Sequence, residues 1–330
     1  MSELSPTRPF VLADRPVLSR STLNRDEMLV NDQDAQTKLW PKARLLTVDQ
    51  YGCVPVRALG TELVYRPAAE FADPAPADSV LLGEQDGVGY WATRIRRDDG
   101  GAPNRWGWAG PAPDGDPEEE RWLDLRAIGA LLGSTDAGAF TTAVAVLNWH
   151  RDAPFCPRCG LPVRFTKAGW ASRCTGCDKE EYPRTDPAVI CLVHDGTDGG
   201  NGQHVLLARG AIWPEGRYSV LAGFVEAGES LEDCVVREIS EEVGVDVRDV
   251  RYLGNQPWPF PRSLMIGYTA VADPAAPIHP ADGEIAEARW VPRAEVRATL
   301  AAGGSLDGLA LPGKVSIAGH MLAAWAEAEA

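Results

Sequence analysis

Apolar positions along this chain change their period several times. Between residues 43 and 96 they come in short runs of Val, Leu, Tyr and Trp, broken by Gly, Pro and Asp. Such runs predict strands over 43–49, 53–58, 61–65, 80–83 and 88–96. The stretches 67–78 and 98–120 are dense in Pro, Gly and acid and read as loops. From Asp124 to Trp149 the period turns helical, with a Gly-Ser break at 133–134. Residues 1–34, rich in Pro, Asp and Asn, are expected to pack loosely or to cover a surface. From 185 onward strand and helix patterns alternate. Strands are expected over 189–194, 205–208, 265–272 and 288–291, and helices over 230–243, 294–301 and 316–329, with a Gly/Asp-rich hairpin loop at 195–203. The pattern divides the chain into a β-rich N-terminal domain closed by helices (1–150), a Cys-rich segment (151–184) and an alternating α and β domain (185–330).

Composition narrows the function classes. The chain has 330 residues, 45% hydrophobic and 24% charged, which is ordinary for globular domains and supplies ample core. Its formal net charge of -15 argues against a protein that wraps DNA, which needs a basic face. No apolar run approaches the length of a membrane span, and the first twenty residues lack the apolar stretch of a signal peptide. A cytoplasmic location is therefore expected, in which the seven cysteines are thiols or metal ligands rather than a disulfide framework.

Four of those cysteines form two C-x2-C pairs. Cys156-Pro-Arg-Cys159 is followed after fourteen residues by Cys174-Thr-Gly-Cys177. Each pair turns two thiolates toward one point. Two pairs make a closed tetrahedral zinc site, with no position left for a catalytic water. His150 is not needed as a ligand, since four sulfurs are already supplied. Cys53, Cys191 and Cys234 have no partner in the sequence and are expected as small buried apolar residues.

The densest chemistry lies in residues 223–245, which hold seven acids and one base. Ser230 suits an N-cap, with Asp233 as its capping-box partner, and Gly244 suits the left-handed residue that ends a helix. Leu231, Val235, Ile239 and Val243 step by four and form an apolar row. Glu238, Glu241 and Glu242 share one face beside it and repel one another. A solvated acidic face is one reading. The other is a divalent cation, for which hard carboxylate oxygens suit Mg²⁺ or Mn²⁺. Gly223 and Gly228 bracket a loop leading into the helix, where backbone can approach a diphosphate or a metal. Arg237 is expected to pair with Glu229 and so tie that loop to the helix.

This segment matches the Nudix signature G-x5-E-x7-R-E-U-x-E-E-x-G-U at every fixed position: Gly223, Glu229, Arg237, Glu238, Ile239, Glu241, Glu242, Gly244 and Val245. Downstream stands Gln256-Pro257-Trp258-Pro259-Phe260-Pro261-Arg262-Ser263. Three alternating prolines predict a stiff, extended loop, either a hydrophobic plug or a binding surface with the flat faces of Trp258 and Phe260. It resembles the Q-P-W-P-F-P-x-S motif of the NADH pyrophosphatase family, whose members carry a four-Cys zinc ribbon before the Nudix domain and, in bacteria, also remove NAD caps from RNA.

The resemblance implies an α+β multidomain chain. A Nudix α/β/α sandwich with a mixed sheet would be preceded by a zinc ribbon and a β-rich N-terminal domain. It further implies hydrolysis of NADH and NAD⁺ to NMN(H) and AMP with Mg²⁺ or Mn²⁺, and decapping of NAD-capped RNA 5′ ends. Carried over by position, the Ala222 carbonyl, Glu238, Glu242 and Glu284 would hold the catalytic metal, with Glu241 in the same cluster and Glu287 the nearest competitor of Glu284. Glu242 would accept the proton of the attacking water. Gln256 to Ser263 would line the dinucleotide site. Tyr182 and Phe224 would contact a base, and Ser316 stands where relatives place a small residue against substrate. Homodimers with a shared base pocket are implied too. Rival readings are another Nudix substrate, such as ADP-ribose or an oxidised nucleotide, and a non-catalytic zinc-ribbon module that grips RNA.

Overall fold

Asp26 and Asp32, which the composition marks as loop formers, start helices. The Asp26 carboxylate accepts from the Met28 amide at the head of α1 (Glu27–Asn31), and Asp32 accepts from Ala35 at the head of α2 (Gln33–Leu39). Acids cap unpaired helix amides, so the same residues that break a pattern inside an element begin one at its edge. The computed structural model describes residues 9–98, 115–196 and 200–328.

The chain folds as two units. One comprises Val17–Thr185 with Pro257–Ser263; the other comprises Asp186–Gln256 and Leu264 onward, together with the described residues before Val17.

In the first unit, β1 (Arg44–Val48) lies parallel to β6 (Val88–Arg94), and the sheet runs β4 (Arg66–Pro67), β1, β6, β5 (Val80–Gln85). A second sheet orders β3 (Glu62–Leu63), β2 (Cys53–Arg57) and β7 (Arg121–Asp124). One element departs from the expected loops: α3 (Ala68–Phe71) stands in the stretch 67–78. Strand β7, not among the expected strands, follows the stretch 98–120, most of which lies outside the described residues. Pairing of β7 with β2 is a long-range contact, which local composition does not report. The helical stretch splits at the Gly-Ser break into α4 (Leu125–Ile128) and α5 (Ser134–Asp152), whose Phe140, Val144 and Leu147 are buried. Cys53 is buried, as expected of a thiol without a partner. The Cys-rich segment forms a small sheet of β8 (Val163–Thr166), β9 (Ala171–Cys174) and β10 (Glu180–Glu181).

The second unit is built on β11 (Asp186–His194), whose side chains alternate between two cores. Ile190 and Leu192 join one cluster; Val189, Cys191 and Val193 join the other. The strands order as β14 (Val247–Trp258), β15 (Ser263–Ala272), β11, β12 (His204–Gly210) and β16 (Ile285–Pro292), with β13 (Leu221–Phe224) antiparallel to β11. Helix α6 (Leu231–Val243) seals one face through Cys234, Val235, Ile239 and Val243. After α7 (Arg293–Ala301), helix α8 (Ile317–Glu327) seals the other through Met321, Leu322 and Trp325. A mixed sheet between helices is thus the arrangement expected. Phe10 also belongs to the α8 core, and its amide donates to Asn201 at 2.9 Å. Part of the N-terminal stretch is therefore core rather than loose cover, because one aromatic ring gains more from burial than its polar neighbours lose.

Candidate functional site

Helix α6 begins and ends as its sequence requires. The Asp233 amide donates to the Ser230 hydroxyl at 3.1 Å, and that hydroxyl donates to the Asp233 carboxylate at 2.8 Å. Gly244 takes φ +68° and closes the helix in the left-handed region. The acids then divide by depth. Glu242 is 6% exposed, Glu238 is half-buried and Glu241 points to solvent.

Arg237 organises the approach to this helix. Its Nε donates to Glu229 at 2.6 Å and its Nη1 donates to Glu238 and Glu241 at 2.9 Å each. Its Nη2 donates to Glu229 at 2.9 Å and to the Phe224 carbonyl at 3.0 Å. One guanidinium thus ties the loop to the helix, as its position suggested. The contact also holds the Glu229 carboxyl down at about 2. Gly223 lies within β13, paired with Val189, so the loop entering the helix is shorter than the two glycines implied.

Glu242 is the most perturbed acid of the group. Burial first, then the charges of Glu238 and Glu284, push its carboxyl up to about 8, against a backbone hydrogen bond from Ala222. Its Oε2 is buried and has no hydrogen-bond partner. Glu284 is exposed and sits at the turn before β16. That turn is tied to the helix end, since the Ala281 amide donates to the Glu242 carbonyl at 2.9 Å and the Glu284 amide to the Ala281 carbonyl at 3.2 Å. Glu287 faces elsewhere, with a carboxylate oxygen 3.9 Å from Arg209. An unpartnered buried carboxylate oxygen among repelling acids is a donor set that fits a hard divalent cation.

The remaining expected residues are distributed as follows. Gln256 is fully buried at the end of β14, and its Nε2 donates to the Val315 carbonyl at 3.0 Å. The next residue, Ser316, caps α8, its hydroxyl accepting from the Ala318 amide at 3.2 Å. Pro257 and Trp258 close β14 and buried Ser263 opens β15, so the expected loop shrinks to the tip Pro259, Phe260, Pro261 and Arg262 of a strand pair. Backbone pairing to a neighbouring strand, absent from the local pattern, extends β14 into it. Trp258 and Phe260 meet edge to face with centroids 4.9 Å apart. Phe224 is 59% exposed and Tyr182 54% exposed. The Tyr182 ring lies under the Lys167 ammonium at 4.9 Å, and its hydroxyl bonds to Lys167 and Glu180. Lys167 and Arg173, basic residues that would suit RNA, both spend charge on Glu180, at 2.8 and 3.2 Å.

The sulfurs of Cys156, Cys159, Cys174 and Cys177 all lie within 4.8 Å of one another. Neighbouring pairs stand at 3.4 to 3.7 Å, close to the roughly 3.8 Å edge of a tetrahedron of Zn–S bonds about 2.3 Å long. Amides of Gly176 and Cys177 point at the Cys174 sulfur, each at 3.4 Å, and bring its thiol down to about 6. Against a backbone hydrogen bond with Leu161, hydrogen bonds shared with Cys174 and Cys177 push the Cys159 thiol the other way, up to about 11. Thiolate is the ligand form, so the fit to zinc rests on the spacing of the four sulfurs. His150 lies outside the site; its Nε2 bonds to the Gly169 carbonyl at 2.7 Å and its ring stacks on Phe165.

Among the described residues, no helix is long and apolar enough to cross a membrane.

Comparison with known proteins gives matches along most of the chain. Residues 184–308 match the NUDIX domain, residues 151–182 the NADH pyrophosphatase zinc ribbon domain, and residues 20–149 the NADH pyrophosphatase-like rudimentary NUDIX domain. The NAD-capped RNA hydrolase NudC of Mycobacterium bovis (strain BCG / Pasteur 1173P2) is 46% identical over 326 residues, 97% of each chain. That of Pseudomonas aeruginosa (strain LESB58) is 42% identical over 175 residues, 53% of this chain and 56% of its own. Among solved structures, a NUDIX hydrolase from Nitrosomonas europaea is similar at 25% identity and TM-score 0.36, over 43% of this chain and 78% of that one. This chain belongs to the NudC family of Nudix hydrolases, with the zinc ribbon and rudimentary NUDIX domain of the NADH pyrophosphatases.

Proposed function

We propose that the protein hydrolyses the diphosphate of NADH and NAD⁺ to NMN(H) and AMP, and removes NAD caps from RNA 5′ ends to leave 5′-monophosphate RNA. The reading rests on one observation above the rest: a buried Glu242 with a free carboxylate oxygen, beside Glu238 and Glu284, at the end of an intact Nudix helix.

The Ala222 carbonyl, Glu238, Glu242 and Glu284 would hold the catalytic cation, Mg²⁺ or Mn²⁺, with Glu241 at the rim of the cluster. Such a cation, when bound, neutralises phosphate oxygens and lowers the pKa of water. Glu242 takes the proton from the water whose oxygen attacks phosphorus, while the bridging P–O bond breaks and the second nucleotide leaves as a phosphate monoester. With a cation held beside it, Glu242 is ionised and free to accept that proton. Arg237 acts on neither water nor substrate; it holds the loop over Phe224 and Glu229. Residues Gln256 to Ser263 and Ser316 shape the dinucleotide site. Gln256 is buried, and its Nε2 donates to the Val315 carbonyl beside Ser316.

The zinc is structural, held by Cys156, Cys159, Cys174 and Cys177. The working unit is a homodimer in which Tyr182 of one chain and Phe224 of the other sandwich a base; the exposure of both rings supports this. A thiol-rich chain with a thiolate zinc site also suits the reducing cytoplasm.

The test is a side-by-side measurement of kcat/KM for NADH, NAD⁺, ADP-ribose and NAD-capped RNA. NADH or capped RNA should lead. A clear preference for ADP-ribose would overturn the assignment.

A further inference from the structure

The tip Pro257–Ser263 groups with the N-terminal unit, and side chains of that unit grip it. The Arg126 guanidinium carbon lies 3.7 Å from the centroid of the Phe260 ring. Trp258 packs on the same ring at an interplanar angle of 74°, with centroids 4.9 Å apart. Arg126 stands in the first turn of α4, whose start the Asp124 carboxylate caps by accepting from the Ala127 amide at 3.0 Å.

A second contact holds the backbone of the same tip. Asn148 Nδ2 donates to the Pro259 carbonyl at 3.3 Å. The amide is oriented from behind, where Arg94 Nη2 donates to Asn148 Oδ1 at 3.1 Å. Arg94 is anchored in turn, its Nη1 donating to the Asp49 carbonyl at 3.2 Å. An acceptor-side partner of this kind leaves only the Asn148 amino group to face Pro259. Three prolines stiffen a backbone, but they do not decide which way an aromatic ring between them turns. Arg126 and Asn148 supply that decision from outside the tip.

We propose that Arg126 and Asn148 are positioning residues for substrate: they fix the Phe260 ring and the Pro259 carbonyl and so set the affinity for the dinucleotide. The proposal rests on the reading that Gln256 to Ser263 line the dinucleotide site. It also gives the rudimentary NUDIX domain a task in this chain, that of shaping the recognition tip.

The experiment is steady-state kinetics on the full-length, metal-loaded protein with NADH. Arg126→Ala should raise KM about three- to thirtyfold, the range of a cation–π contact, with kcat changed by less than about threefold. Arg126→Lys keeps a cation over the ring and should recover most of the loss. In a Phe260→Leu background, Arg126→Ala should add less than about twofold, because coupled residues are not additive. Asn148→Asp deletes the donor to Pro259, keeps the acceptor for Arg94, and should also raise KM; it carries the test if Arg126→Ala does not fold. An unchanged KM in these variants, a loss confined to kcat, or the same factor with and without Phe260 would overturn the proposal. If Phe260→Leu alone leaves KM unchanged, the reading of the tip as a dinucleotide surface has failed. If Phe260→Leu raises KM while Arg126→Ala is silent, only the positioning role has failed.

Discussion

Glu238 occupies the place where Gly223 would carry a side chain. A methyl group on Gly223 would overlap the Glu238 carboxyl group. Nothing in the backbone demands glycine there, since Gly223 is an ordinary strand residue opposite Val189 and its φ is not positive. The glycine is explained by the carboxylate, and the carboxylate is one of the proposed metal ligands.

Gly223→Ala therefore separates function from stability. The overlapping atoms are the far end of a flexible side chain, so the fold yields cheaply and the melting temperature should hardly move. The Glu238 carboxylate must shift by about an ångström, which costs on the order of 10²-fold in rate when a reacting group is misplaced. Part of that loss should return at high Mg²⁺ or Mn²⁺. A large drop in melting temperature, or full activity at limiting metal, would contradict this.

Glu242→Gln should lower kcat on NADH by roughly 10²–10⁴, the usual range for a lost general base. The metal-free variant should fold at least as well as the native chain, because a buried neutral amide replaces an acid facing the charges of Glu238 and Glu284. A variant keeping more than about a tenth of native kcat would transfer the role to another acid.

The raised Glu242 carboxyl also fixes a pH dependence. Its folded value, about 8, lies above the ordinary 4.5, so the folded chain holds this proton more tightly than the unfolded chain does. The stability it contributes is full below the ordinary value and is lost as pH rises through about 8. Metal-free protein should accordingly lose melting temperature between about pH 5 and pH 8 relative to Glu242→Gln. Adding Mg²⁺ or Mn²⁺ near neutral pH should release a proton, measurable by titration calorimetry in buffers of different ionisation heat. A constant difference between the two proteins across that range would mean that Glu242 is ionised before metal arrives.

Zinc removal should cost fold before chemistry. The four sulfurs leave no open ligand position, and zinc can contribute on the order of 10 kcal/mol to folding a small ribbon. Cys159→Ser should lose zinc and melt earlier, whatever substrate is used. Chelation that strips zinc completely while leaving melting and activity unchanged would contradict a structural role.

A shared base pocket predicts complementation. Mixing inactive Tyr182→Ala and Glu242→Gln chains should restore one working site per heterodimer. No recovery, with subunit exchange verified, would show that each chain builds its pocket alone.

Much of the site was legible in short-range spacing. The Ser230 cap, the Gly244 stop and the Arg237 tie to Glu229 involve contacts between residues near in sequence, and each cysteine pair is a local C-x2-C spacing. Helix period and knuckle geometry encode such contacts directly, and the family resemblance followed from the same residues. The unbroken apolar run Val189 to Val193 likewise announced a strand, and the fold buries it on both faces.

Other features were decided only when distant segments met. Support for Glu284 over Glu287 as the proposed ligand comes from a turn hydrogen-bonded to the end of α6, and from a strand register that sets Glu287 opposite Arg209. The depth of Glu242 against Glu241, equal neighbours on a helical wheel, came from the sheet that α6 covers. Phe10 entered a core built far along the chain, and Gln256 became a buried strut to Val315 rather than a surface donor. Arg126 and Asn148 carry no motif at all; their grip on Phe260 and Pro259 exists because the N-terminal unit packs against a tip more than a hundred residues away. Periodicity reports which face of an element is apolar, while the partner of that face is selected by packing of the whole chain. The Nudix helix, its caps and its Arg237 tie could therefore be read from the sequence by itself, and the depth of its acids and the grip on the distant tip only from the fold.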